Sequence, residues 1–326
     1  MKRVLVTGAG GFIGSHLVEQ LVAEGVDVRA MVHYNSRNAR GNLELLPESV
    51  QSAVEVIAGD VQDPFFVRSA VKGVDAVFHL AALIGIPYSY VAPAQYANVN
   101  VLGTLNVLQA CLEEGVGRVI HTSTSETYGT ARYVPIDEDH PLQGQSPYSA
   151  SKIGADKIAE SYHLSFGLPV VTVRPFNTFG PRQSARAIIP TIISQALAGY
   201  PQIRLGSLTP VRDMTYVHDT VCGFIAAAGS DGAVGRVVNL GSGRGISIGE
   251  LVNKVLPLCG SSATIACDED RVRPDKSEVM ELICSSAMAE ELLGWRPRVS
   301  LDEGLEHVIA FVREHQHLYR SDEYNI

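Results

Sequence analysis

The sequence predicts an α/β fold, a doubly wound parallel sheet joined to a smaller C-terminal substrate-binding lobe. Three observations predict it. Short β-branched runs alternate with longer amphipathic stretches through the first half of the chain. A glycine-rich turn joins the first strand candidate directly to the first helix candidate. The 326 residues are 46% hydrophobic and 19% charged, which supplies a large core and excludes a disordered chain.

The elements follow in order. Val4-Leu5-Val6-Thr7 is the first strand and residues 12–24 the first helix. Strands are expected at 26–32, 54–58, 76–79, 118–123 and 170–174, with helices at 64–71, 94–112 and 147–166 between them. Parallel strands need crossovers of about this length, and right-handed crossovers wind the sheet doubly. After Pro175 the alternation decays: helices at 188–198, 220–228, 248–256 and 301–314 stand among short strands. This predicts a dinucleotide-binding domain over 1–175, with later elements interleaved, and a second lobe over 176–326.

A formal net charge of −9, from 26 basic and 35 acidic side chains, argues against nucleic acid or anionic lipid as a general partner. The N-terminus runs straight into the glycine turn and has no apolar leader, so a cytoplasmic protein is expected. No Asp, Glu, Lys or Arg occurs from Ala76 to Leu112, but His79, Pro87, Pro93, Asn98, Asn100 and Asn106 interrupt that stretch and make it core rather than membrane span. The five cysteines are scattered, with no C-x-x-C pair, and read as reduced thiols. Ten histidines form neither H-E-x-x-H nor a Cys/His cluster, so no metal is expected.

Thr7-Gly8-Ala9-Gly10-Gly11-Phe12-Ile13-Gly14 has the physical parts of a pyrophosphate site. Gly8 makes the turn, Gly11 admits the phosphates to the backbone, and Gly14 lets helix and strand approach. Free N–H groups and the helix dipole then attract the anion. Asp60, in Gly59-Asp60-Val61, stands where a carboxylate would meet the adenine amino group. The second strand ends without Asp or Glu for the ribose hydroxyls; Ser36 and Arg37 are placed for a 2′-phosphate instead, which favours NADP over NAD.

Tyr148 and Lys152 lie one helical turn apart on one face. A lysine cation beside a phenol favours the phenolate, so the expected effect is a tyrosine pKa below its usual ~10. Upstream, Thr122-Ser123-Thr124-Ser125-Glu126 ends the fifth strand, where Thr124 can hydrogen-bond a hydroxyl under oxidation. The stretch from Ser161 to Arg212 holds Arg174, Arg182, Arg186, Arg204 and Arg212 and no carboxylate, a composition suited to phosphate.

These motifs, with Asp75 to Ala82, Asn100 with Gly103-Thr104, and Arg174-Pro175-Phe176-Asn177, stand in the order of the extended short-chain dehydrogenase/reductases, which the chain resembles from Val4 to about Val312. The resemblance implies a Rossmann domain, a nicotinamide cofactor contacted by Gly8, Gly11, Phe12, Ile13, Gly14, Ser36, Arg37, Asp60, Val61, Leu80, Ala81, Ala82, Asn100, Tyr148 and Lys152, and a nucleotide-sugar substrate. It also implies a homodimer through the helices containing Asn100 and Tyr148. By family position, Ser125, Asn177, Arg186, Arg212 and Arg273 hold the substrate, while Thr124, Glu126, Tyr148 and Lys152 perform the chemistry.

A 4-epimerase only moves hydride at carbon 4, whereas a 4,6-dehydratase must also take the carbon-5 proton and expel the carbon-6 hydroxyl. Glu126 supplies the extra acid/base. Many sugar-nucleotide 4,6-dehydratases carry Thr-Asp-Glu here, and this chain departs from them; GDP-mannose 4,6-dehydratases share its Thr-Ser-Glu. The runs 122–126, 141–148, 181–186 and 273–278 most resemble NDP-N-acetylglucosamine 4,6-dehydratases of legionaminic-acid-type pathways. The expected reaction is 4,6-dehydration of UDP- or GDP-N-acetylglucosamine; 4-epimerisation, 5,6-dehydration and a cofactor-sensing regulator remain alternatives.

Overall fold

A computed structural model describes residues 1–321. The last five residues assigned to the second lobe, 322–326, lie outside the described residues. Thirteen strands occur in chain order among them: β1 Arg3–Thr7, β2 Asp27–His33, β3 Val54–Gly59, β4 Ala76–His79, β5 Arg118–Thr122, β6 Val170–Pro175, β7 Asn177–Phe179, β8 Gln202–Leu205, β9 Val211–Tyr216, β10 Val237–Leu240, β11 Gly245–Ser247, β12 Thr264–Cys267 and β13 Glu281–Leu282. Seven of them form one sheet in the order β10-β6-β5-β4-β1-β2-β3, with every neighbouring pair parallel. The chain winds outward from β1 to β3, then returns and winds the other way from β4. The crevice between the ends of β1 and β4 is therefore the switch point at which open α/β sheets bind ligands.

Alternation along β1 divides the core. Val4 and Val6 point to one face, where Leu17 and Leu21 of α1 (Phe12–Ala23) cover them; Leu5 points to the other, against Val107 and Leu108. Burial on both faces is why β1 reads as the apolar run Val4-Leu5-Val6, and β6 is likewise buried throughout, although Thr172 and Arg174 stand among its valines. Two short helices follow, α2 (Glu48–Ser52) and α3 (Pro64–Val71), the latter capped by the Asp63 carboxylate on Phe65 and Phe66 N–H. Next come α4 (Ile86–Val91), α5 (Pro93–Tyr96), α6 (Gly103–Glu113) and α7 (Pro147–Phe166).

The helix expected over 94–112 is not continuous. Between α5 and α6, residues Ala97–Leu102 form a wide π-helical turn. Inside it Asn100 is buried and uses its whole amide: Oδ1 accepts from Leu83 N–H (2.8 Å), and Nδ2 donates to Leu83 O (2.9 Å) and Ser151 Oγ (2.9 Å). Hydrophobic periodicity read over a long apolar stretch does not register one such turn.

The second lobe packs α8 (Ile188–Leu197), α10 (Ile248–Cys259) and α12 (Leu301–Glu314) around Ile192, Ile193, Leu251, Val255, Leu305 and Val308, with α9 (Val217–Gly229) and α11 (Ala287–Leu293) between them in sequence. Those two helices belong elsewhere in space. Phe224 of α9 and Trp295, just after α11, join the core beside β1, and β10 adds the strand next to β6. Trp295 Nε1 donates to Asp219 O at 2.8 Å. Among the described residues no helix is long and apolar enough to cross a membrane, and all five cysteines are unpaired.

Candidate active site

The glycine turn is shaped to receive backbone and phosphate rather than side chains. Gly8 has φ +69°, and a Cβ there would lie 2.8 Å from Ala81 N; one on Gly14 would fall onto the Gly8 carbonyl oxygen. Gly11 caps α1 without a side-chain hydrogen bond, so the first N–H groups of the helix are left for an anion. Thr7 Oγ1 accepts from Leu80 and Ala81 N–H, both at 3.1 Å, and fixes the loop after β4 beside that turn. This cradle fits the pyrophosphate of a dinucleotide. Gly14→Ala is expected to weaken dinucleotide binding by roughly 1–3 kcal/mol, the scale of overpacking, as measured by calorimetric titration; unchanged affinity would reject the assignment.

Beyond β3, the Asp60 carboxylate accepts from Gln62 N–H at 2.9 Å and lies 3.5 Å from His33 Nε2, and Val61 is buried against Gly103. Ser36 and Arg37 are exposed. Their loop is organised around Asn35, whose Oδ1 accepts from the N–H groups of Arg37 (3.1 Å) and Ala39 (3.0 Å). Further on, Asn42 N–H bonds Gly10 O at 2.9 Å, which lays this loop over the glycine turn.

Ser146 starts α7 with a reciprocal cap to Ser149, and Pro147 stands in the first turn, so Tyr148 has a fixed place at the helix entrance. The phenol is buried and packs edge-on to Tyr96, with ring centroids 6.2 Å apart. Burial pushes its pKa well above the usual tyrosine range; a hydrogen bond with Thr124 opposes this, and the nearby Glu126 charge adds to it. The lysine-depressed phenol expected from the sequence is therefore corrected. Lys152 Nζ donates to Thr122 O at 2.6 Å, and burial itself brings that amine down to about 8, against the Asp156 charge that raises it.

Thr124 caps the short turn Ser125–Tyr128, accepting from Glu126 N–H at 3.3 Å. Ser125 is buried within it. Glu126 thus stands within electrostatic reach of both Tyr148 and the buried Arg212. Arg212 and Arg273 converge on Glu278 Oε1, at 3.1 and 3.5 Å, so β9 and the segment between β12 and β13 are tied together beside Glu126. Asn177 Oδ1 is buried without a hydrogen-bond partner among the described residues, as a side chain awaiting a donor would be. Arg186 reaches the loop after β4, its Nη1 close above Gly85.

Two of the five clustered arginines are not available to phosphate. Arg174 is buried and binds Asp156 through Nε (3.2 Å) and Nη2 (2.9 Å). Arg182, buried with φ +66°, pairs with Glu19 and with His16 of α1, and its carbonyl accepts from Asn42 Nδ2 at 3.0 Å. His16 is held neutral: burial, then the Arg182 charge, takes it down to about 3. Sequence reasoning missed Asp156, His121 and Glu278. Asp156 had a legible signal, since it continues the Tyr148, Lys152 stripe by four residues.

A glycine cradle at the switch point of a parallel sheet, with a tyrosine and lysine on the helix after β5, defines an extended short-chain dehydrogenase/reductase. Within that class the chain belongs to the family described as GDP-mannose 4,6 dehydratase, whose model matches residues 5–308. It is 34% identical to a dTDP-glucose 4,6-dehydratase of Actinoplanes sp., over 95% of this chain and 98% of that one. It is equally 34% identical to a UDP-glucose 4-epimerase of Mycolicibacterium smegmatis, with the same coverage of 95% and 98%. Among solved structures, a dTDP-glucose 4,6-dehydratase from Streptomyces venezuelae with NAD and TYD bound superposes with a TM-score of 0.88 at 30% identity, covering 98% of this chain and 100% of that one.

Proposed function

We propose that this enzyme is a nucleotide-sugar 4,6-dehydratase acting on an NDP-N-acetylglucosamine. The observation that carries the reading is Glu126, a carboxylate beside Thr124 and Tyr148 that a simple 4-epimerase does not need. Tyr148 takes the carbon-4 hydroxyl proton, with Thr124 aligning that hydroxyl and Lys152 supplying positive charge below. A nicotinamide held by the glycine cradle of β1 and α1, beside Tyr148 and Lys152, would supply the acceptor for the carbon-4 hydride and the donor for its return at carbon 6. Glu126 removes the carbon-5 proton, acidified by the new ketone, and delivers it to the carbon-6 oxygen, so that water leaves; once hydride has been added at carbon 6, carbon 5 takes up one proton, matching the one Tyr148 took from the carbon-4 hydroxyl, and both residues return to their starting states. Arg212 and Arg273, with Asn177, hold the diphosphate, and Arg186 reaches the sugar side.

The cofactor in this reading is NAD. The similar Streptomyces enzyme carries NAD, while Ser36 and Arg37, the basis for favouring NADP, are exposed in a loop that Asn35 holds together. A homodimer through α7 and the segment containing Asn100 is supported by Leu102, Leu164 and Phe166, which are exposed on those elements. The N-acetylglucosamine assignment rests on the runs 141–148 and 273–278. The test is incubation with UDP-N-acetylglucosamine, GDP-N-acetylglucosamine and dTDP-glucose, followed by mass spectrometry of the sugar nucleotide and of the cofactor released on denaturation. Loss of one water with a borohydride-reducible ketone is expected from an N-acetylglucosamine substrate. Unchanged mass with a new diastereomer would make the enzyme an epimerase.

A further inference from the structure

Behind the catalytic pair lies a carboxylate that the proposed reaction does not use. Asp156, one turn beyond Lys152 on α7, is buried and accepts four hydrogen bonds from β5, the residue that follows it, and β6. His121 Nε2 of β5 donates to Oδ1 at 3.0 Å; Ser123 Oγ (2.7 Å) and Arg174 Nε and Nη2 of β6 (3.2 and 2.9 Å) donate to Oδ2. Arg174 continues outward, its Nη1 3.0 Å from Tyr128 OH, which in turn donates to Asn239 Oδ1 of β10 at 2.8 Å.

We propose that Asp156 is a positioning residue for the Tyr148/Lys152 pair: its fixed carboxylate keeps the buried Lys152 ammonium charged and the ends of β5 and β6 locked under it. The backbone argument is direct. Thr122, whose carbonyl receives Lys152, and Ser123, which binds Asp156, are consecutive residues, so one carboxylate fixes both the charge and the acceptor of the lysine.

The charge balance around Lys152 is specific. On its own helix it has Tyr148 and Asp156; from β4 and β5 it meets His79 and His121, and Arg174 and Glu126 bear on the same cluster. Burial takes both histidines below their usual range, so they bring no charge at neutral pH. Burial alone would raise Asp156, but the His121 hydrogen bond and then the Arg174 charge, with Lys152 beyond it, bring it down to about 2. Asp156 is thus the anion that offsets the desolvation of Lys152, which otherwise favours the neutral amine.

The inference rests on the assignment of Tyr148 and Lys152 above, and its deciding readout, the Lys152 titration, does not need the substrate to be known. The chain has six lysines, Lys2, Lys72, Lys152, Lys157, Lys254 and Lys276, few enough to follow the buried amine by nitrogen NMR on lysine-labelled holoenzyme. In Asp156→Asn the Lys152 titration should fall by about one unit or more, the scale of one lost opposite charge. Asp156→Glu should restore it. The alkaline limb of the hydride-transfer pH profile should move to lower pH with it. A folded Asp156→Asn protein with Lys152 titrating as in wild type overturns the inference. If Asp156→Asn alone fails to fold, the double variant Asp156→Asn/Arg174→Gln removes the buried pair together and carries the same test. A failed dehydratase assay with a displaced Lys152 titration would reject the proposed function and leave this inference standing.

Discussion

Glu126→Gln is expected to reduce the cofactor at close to the wild-type rate and then stop, with water loss slowed by roughly 10²–10⁴, the usual contribution of one positioned acid/base. The amide keeps the size of the side chain and its backbone hydrogen bond with Thr124, so binding and the geometry at carbon 4 should persist. What it loses is the ability to take a proton from carbon 5. A single-turnover experiment separates the steps: reduced cofactor should accumulate by absorbance while mass spectrometry finds the sugar nucleotide undiminished by water. Wild-type turnover in this variant would remove Glu126 from the mechanism and return the chain to the epimerases it equally resembles.

Tyr148→Phe should fail earlier. Losing the phenol removes the base for the carbon-4 hydroxyl, so hydride transfer should drop by roughly 10²–10⁴, or about 3–5 kcal/mol of barrier. Cofactor affinity should change little, because the ring still packs against Tyr96 and the pyrophosphate cradle lies on α1. In the protein alone, burial holds the phenol protonated at neutral pH. Ionisation must therefore be drawn out by positive charge at the site, from Lys152 and from an oxidised nicotinamide. The first hydride-transfer step of the wild type should consequently vary with pH while the residual rate of Tyr148→Phe stays flat in stopped-flow traces. A Phe variant that retained the wild-type rate and pH dependence would exclude Tyr148 as the base.

The sheet was legible because β1, β4, β5 and β6 are buried along most of their length and carry dense apolar runs, and because a glycine turn between strand and helix has few other uses. The short strands β7 to β9 and β11 to β13 were not. They hold two to six residues each, pair by long-range contact, and lack a periodic signature of their own. The same limit applied to charge. Composition placed five arginines together between Ser161 and Arg212, but only the fold reveals that Asp156 and Glu19 already hold two of them and that Glu278 is shared by a third, Arg212, with Arg273. Tyr148 and Lys152 were legible as neighbours one turn apart on α7, while the direction of the phenol's shift depended on burial that spacing does not encode.

The strand β10 and Trp295 have a consequence for how such a chain can be inherited or re-engineered. The outermost hydrogen-bonded partner of β6 and the only tryptophan in the molecule both come from beyond residue 175, yet both complete the first lobe. A recombination that exchanged everything after residue 175 would strip β6 of its neighbour and leave a row of unpaired peptide groups open to aggregation. Exchange of substrate specificity between relatives must therefore proceed by grafting segments such as those around Arg212 and Arg273, with β10 and the tryptophan retained. The tryptophan also gives such chimeras an intrinsic fluorescence readout of whether the later chain has docked.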